Sequence, residues 1–301
     1  MSRLAVGVLS LAVATAVALS AESEAVSFKT DDGVEIAADY FAPTGRTPAP
    51  VVILLHQYRS TRAAWKPLVP VLQRAGFAVL AVDLRGHGGS VKPGNLKLVQ
   101  RVMDRDPALF NAMNSDVFAA YGFLSQRPEC DLSRLAIVGA SVGASVALDY
   151  ARQDRSVDVV VCMSPGEAYM GVDSRTHIRE YGKWGNRPVL LLAAPGEQQA
   201  CEALATAYPG AKVQITQPGT KDGDKVHGTN MFGQVENIEQ GVADFLAEDV
   251  GGPAEHVVAG DLDGGPCCPV GGEADKKLDP KNRRVFSSAD EARMRGYRAS
   301  K

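Results

Sequence analysis

The stretch RLAIVGASVGASVALDY (residues 134–150) decides how this chain is read. Its first half is apolar and β-branched through residues 135–138, the composition of a strand buried on both faces. Its second half is a run of small and aliphatic residues with helical spacing. Two serines stand in it. Ser141 falls between the halves, with Gly139 and Gly143 two residues to either side, and Ser145 lies one turn further on. A strand that feeds a tight turn into a helix lifts the hydroxyl at the turn above the sheet edge, and flanking glycines keep the neighbouring backbone clear. Ser141 meets that requirement and is the candidate nucleophile. Ser145 would sit inside the helix, its hydroxyl facing packing or a backbone carbonyl.

Working outward, the chain alternates strands and helices. VSFKTDDGVEIAADYFAP (26–43) reads as two strands around an Asp-Asp-Gly turn. PVVILLH (50–56) and FAVLAVDLRG (77–86) read as buried strands, with a helix over AAWKPLVPVLQRAG (63–76) between them. Residues 96–127 are mainly helical, and VDVVVCMSP (157–165), PVLLLAAP (188–195) and AKVQITQPG (211–219) are further strands. QQACEALATAYPG (198–210) is a helix, and the last helix runs over GTNMFGQVENIEQGVADFLAEDV (228–250). This order implies an α/β fold, a mostly parallel doubly wound sheet with helices on both faces.

The 301 residues suffice for one large domain with an appendage, and a net charge of −3 gives no pointer to nucleic acid. Residues 1–21 have an early cation, Arg3, then an apolar stretch from Leu4 to Leu19 and small residues, the layout of a secretory signal peptide. Cleavage after Ser20, Ala21 or Ala25 would leave a secreted or periplasmic domain over residues 26–250. Residues 251–274 are a Gly/Pro-rich linker, and residues 275–301 form a small basic module with a Ser-x-x-Glu helix start, Ser288 to Glu291. The five cysteines, Cys130, Cys162, Cys201, Cys267 and Cys268, are not spaced as a disulfide framework.

A serine hydroxyl needs a base. Of the five histidines, His56 and His87 end buried strands, His177 lies in a polar stretch and His256 in the linker. His227 sits between the last strand and the last helix, where a loop can bring an imidazole over the turn, and is the candidate base. The third member must accept a hydrogen bond from the imidazole. Glu197 is the first carboxylate after the strand at 188–195, with Asp173, Asp222 and Asp224 as alternatives. An oxyanion needs two backbone N–H donors, and the amides of Gln57 and Val142 are placed to supply them. The side chains of Gln57 and Tyr58 would then shape the entrance.

Together VVILLHQYRSTRAAWKPLVPVLQRAGFAVLAVDLRGHGGS, GASVG and VHGTNMF resemble the α/β-hydrolase superfamily, and most of all its small esterase-like members of the dienelactone-hydrolase type. The resemblance covers residues 26–250 with its motifs in the expected order. It implies a serine hydrolase of esters, thioesters or amides acting on a small-molecule acyl substrate without metal or organic cofactor. It sets the nucleophile on Ser141, the base on His227 and the oxyanion donors on Gln57 and Val142. Two departures stand out: the turn that often carries an aspartate reads APGEQQ, and the usual His-Gly reads His56-Gln57. The lid region, residues 166–187, is short and suggests an open site.

The tail is similar to the Ada-like metal-binding module, but where that family has a cysteine after GYR this chain has Ala299 and Ser300. Cys267 and Cys268 cannot alone supply four ligands, so a degenerate module without metal is expected. Its cations, among them Lys276, Arg284 and Arg295, would serve at most an envelope contact. The competing readings are a non-catalytic binding protein of the envelope on the same fold, and a triad that passes its acyl group to an alcohol or peroxide.

Overall fold

A computed structural model describes residues 23–91, 96–184, 187–216 and 226–250, and four short strands at 258–261, 266–267, 283–286 and 298–299. Strands β1 (Glu24–Lys29), β2 (Glu35–Phe41), β3 (Ala49–Leu55), β4 (Ala78–Val82), β5 (Cys130–Ala140) and β6 (Val157–Met163) come first. A two-stranded hairpin follows, β7 (Ala168–Tyr169) with β8 (Val172–Asp173), then β9 (Val189–Ala193) and β10 (Ala211–Ile215). The helices are α1 (Val69–Arg74), α2 (Leu96–Met103), α3 (Pro107–Asn111), α4 (Asn114–Leu124), α5 (Val142–Gln153), α6 (Ser174–Tyr181), α7 (Gln198–Ala207) and α8 (Ile238–Asp249).

Eight strands form one sheet in the order β1-β2-β4-β3-β5-β6-β9-β10. β2 pairs antiparallel with both β1 and β4, and the strands from β4 to β10 are parallel. The alternation of side chains along each strand divides the core in two. Val51, Ile53, Leu55 and Ile137 face the side covered by α4 and α5, while Val52, Leu54 and Val138 face the side covered by α1 and α8. From β3 the chain first adds β4 on one side and then β5 on the other. That reversal opens a crevice beyond the carboxyl ends of β3 and β5.

Some elements are shorter than the sequence suggests. Residues 63–76 do not form one helix: a 3-10 turn at Arg62–Trp65 precedes α1, with Pro67 in the interruption and Pro70 in the first turn of α1. The last helix starts at Ile238 rather than 228, after a 3-10 turn at Gly228–Met231. In the tail, β11 (Val258–Asp261) pairs antiparallel with β13 (Arg283–Phe286), and β12 (Pro266–Cys267) pairs parallel with β14 (Arg298–Ala299). The signal segment 1–21, the start at Ser288–Glu291, Cys268 and most of the linker and basic module lie outside the described residues. Cys130, Cys162 and Cys201 are free thiols.

Candidate active site

Ser141 sits at the crevice, between β5 and α5, with φ 53° and ψ −120°. A positive φ at a residue with a Cβ is strained, and such strain persists only where the surroundings fix it. Here the turn is tied to β6 by a 2.8 Å bond from the Ser141 N–H to the Met163 carbonyl. The close approach needs glycine on both sides. A Cβ on Gly139 would land on the Gly143 carbonyl, and one on Gly143 on the carbonyl of Leu55 at the end of β3. Ser145 is elsewhere: it is fully buried and accepts a 2.7 Å hydrogen bond from the Ser174 hydroxyl at the start of α6. Its hydroxyl thus meets another hydroxyl, not a backbone carbonyl.

His227 and Glu197 come together. Nδ1 of His227 forms a short hydrogen bond with Oε1 of Glu197, which sits at the start of α7 just past β9. A carboxylate on Nδ1 holds the proton there and leaves Nε2 as the acceptor. Burial pushes the Glu197 carboxyl up, but hydrogen bonding with His227 and Ser164 and the attraction of the imidazole outweigh it, so the group lies below its ordinary range. Oε2 of Glu197 is buried without a hydrogen-bond partner among the described residues.

The loop carrying the imidazole is fastened from two directions. The Gly228 N–H donates to the Ser164 hydroxyl at 2.8 Å. The N–H and hydroxyl of Thr229 both donate to Oε1 of Gln57, at 2.9 and 2.8 Å. Gly228, at φ 57°, packs so closely that a Cβ there would stand 2.6 Å from the Gln57 amide oxygen and 3.3 Å from Cβ of Ala140, the residue before Ser141. The Gln57 side chain is therefore a clasp across the site. Its backbone N–H finds no acceptor among the described residues, and the Val142 N–H, in the first turn of α5, has no intrahelical partner.

Tyr169, which sequence reasoning did not single out, closes the site from the β6 side. It ends the first strand of the β7–β8 hairpin, whose turn residues Met170 and Gly171 both have positive φ, at 53° and 82°. Its ring meets the His227 imidazole edge-on, with centroids 6.3 Å apart and planes at 84°. Its phenol is pushed up, first by burial and then by the Glu197 and Cys201 charges, while hydrogen bonding with the Ser141 side chain opposes the shift. Ser141 is only 6% exposed, so the nucleophile is more enclosed than the open site expected from the short segment at 166–187. The Y-M-G turn was the one signal in the sequence for this hairpin.

The other candidates go elsewhere. Asp173 caps α6, its Oδ1 accepting from the Thr176 N–H at 3.0 Å, and that backbone bond chiefly lowers its pKa. Asp222 and Asp224 lie outside the described residues. His56 is a buried structural imidazole: Nε2 accepts from the Leu84 N–H at 3.1 Å, leaving Nδ1 to donate to the Gln57 carbonyl at 2.8 Å. His177 faces Asp149. Among the described residues no cluster of His, Cys, Asp or Glu is arranged to hold a metal ion.

Residues 46–194 match the family model Hydrolase_4, described as serine aminopeptidase, S33. That segment contains Ser141 and stops before Glu197 and His227. The protein Rv2307c of Mycobacterium tuberculosis (strain ATCC 25618 / H37Rv) is 31% identical over 140 residues, which is 46% of this chain and 44% of that protein. The chain thus spans less than half the length of this curated relative. The esterase Pf2001 of Pyrococcus furiosus superposes with a TM-score of 0.58 at 20% identity, over 80% of this chain and 96% of that one. The dienelactone hydrolase of Anabaena variabilis ATCC 29413 does so with a TM-score of 0.54 at 19% identity, over 76% and 96%. By its strand order, its strained serine turn and these likenesses, the chain has the α/β-hydrolase fold.

Proposed function

We propose that this protein is an exported serine hydrolase that cleaves a small ester or related acyl bond through Ser141, His227 and Glu197. The observation that carries the reading is the pairing of the His227 Nδ1 with the Glu197 carboxylate, on a loop clasped beside the strained turn of Ser141. In that arrangement Nε2 of His227 takes the proton from the Ser141 hydroxyl as Oγ bonds to the substrate carbonyl carbon. The carbonyl π electrons move onto oxygen, where the N–H groups of Gln57 and Val142 receive the charge. Collapse of the tetrahedral adduct breaks the bond to the leaving group, which takes the proton from the imidazolium. Water repeats the sequence on the acyl-enzyme and frees the acid. Glu197 orients the ring and stabilises its cationic form.

A carboxylic ester is the favoured substrate class, supported by the likeness of the fold to an esterase and a dienelactone hydrolase. Export is inferred from the signal-like residues 1–21. The test is fluorophosphonate labelling of the purified protein, read by mass spectrometry, beside Ser141→Ala and His227→Ala. Modification at Ser141 in the wild type and in neither variant supports the reading. A folded wild type that resists labelling overturns it, and the fold then serves binding.

A further inference from the structure

Sheet order distributes the site around Ser141. Gln57 follows β3, on one side of β5, whereas Tyr169 follows β6, Glu197 follows β9 and His227 follows β10, all on the other side. A tetrahedral carbon on Ser141 carries three further substituents. Its oxygen turns toward the Gln57 and Val142 amides, and its leaving group must lie against Nε2 of His227. The third substituent, the acyl chain, takes the remaining direction, and Tyr169 is a further side chain that the fold sets against the base.

We infer that Tyr169 is the specificity-determining residue of this site, its ring ending the acyl pocket so that short acyl chains fit and long ones do not. The inference rests on the Ser141 reading given above. Three features keep the ring from swinging aside. Its face lies directly on Gly166, where a Cβ would stand 2.6–2.9 Å from ring carbons, so only glycine permits this position. Its edge is against His227. Its backbone is held by register: Tyr169 pairs directly with Val172, and cross-strand partners share a face of the hairpin. Val172 is fully buried.

The hairpin is itself anchored. The Gly171 carbonyl accepts from Nδ2 of Asn111 at 3.1 Å, and Gly171 packs so tightly on Pro107 that a Cβ would stand 2.7 Å from it. Asp173 continues directly into the cap of α6. Tyr169 is thus fixed to α3 and α6 rather than lying on a mobile flap. The anchored hairpin thereby keeps the ring at the imidazole of the base.

The experiment compares kcat/KM for p-nitrophenyl butyrate and octanoate, which share a leaving group and differ only in acyl length, in wild type, Tyr169→Phe, Tyr169→Ala and Tyr169→Val. Fluorophosphonate labelling of each protein reports an intact nucleophile. Wild type and Tyr169→Phe should both favour butyrate, since both keep the ring. Tyr169→Ala should raise the octanoate-to-butyrate ratio by on the order of tenfold or more, as several methylenes gain a pocket. If Tyr169→Ala does not fold, Tyr169→Val gives the same comparison with a smaller opening. A ratio that stays within about twofold of wild type in a variant that still labels overturns the assignment and leaves the Ser141 reading standing. A wild type that neither turns over ester nor labels overturns both.

Discussion

Replacing Glu197 with Gln keeps the length and volume of the side chain but removes the charge opposite Nδ1 of His227. The loss is felt when the imidazole takes the Ser141 proton. In the transition state it is a cation, and the carboxylate attracts it. Two unit charges about 4 Å apart interact by about 4 kcal/mol at an effective dielectric of about 20. The Glu197 side chain is 22% exposed, a setting for which that dielectric is appropriate. At about 1.4 kcal/mol per decade, this amounts to roughly 10³-fold in rate. An amide oxygen can still accept from Nδ1, so the expected loss in kcat for Glu197→Gln is between about 10² and 10³. Glu197→Asp withdraws the carboxylate by one methylene and should lose less. Asp173→Asn touches only the cap of α6 and should stay within about twofold. Steady-state kinetics on p-nitrophenyl butyrate decide. A Glu197→Gln enzyme within tenfold of wild type, or an Asp173→Asn enzyme as impaired, would refute the reasoning.

Gly143→Ala drives a Cβ into the Leu55 carbonyl and should destabilise by about 1–3 kcal/mol or more, measured as a lower urea midpoint. Gln57→Ala leaves the Thr229 N–H and hydroxyl without an acceptor, and should cost about 1–3 kcal/mol in the same assay. It should also lower kcat more than it raises KM, because it frees the loop of the base. His56 contributes a pH dependence. Burial first, and then His87, push its pKa down to about 4, with the Gln57 carbonyl and Asp83 opposing. The unfolded chain therefore binds a proton near pH 6.5 that the folded one refuses. Stability should fall as pH drops from about 6.5 to about 4, by up to roughly 1.4 kcal/mol per pH unit from this residue. Urea titrations across that range should show the slope, and it should flatten in His56→Gln.

The sheet was legible because its strands are short, apolar and β-branched, and buried strands leave few other readings of such runs. Ser141 was legible for a related reason: the Gly139 and Gly143 spacing records a backbone approach that no side chain tolerates. The proline-interrupted segment before α1 was not, since its apolar spacing suits a helix while Pro67 and Pro70 divide it. Among the carboxylates, chain order favoured Glu197 without excluding Asp173. Only the three-dimensional position of the imidazole separates an acid at the base from one capping a helix. Tyr169 and the Gln57 side chain left still less trace, because each acts on residues far away in the chain.

Gln57 stands where the family the sequence resembles usually has glycine, and its clasp on Thr229 gives that departure a consequence for descent. A chain with glycine at position 57 offers no amide oxygen to the Thr229 N–H and hydroxyl, which would then need water or another acceptor. A chain that keeps Gln57 but loses the threonine hydroxyl retains only half of the clasp. The two positions, 172 residues apart in sequence, are therefore expected to be inherited as a pair.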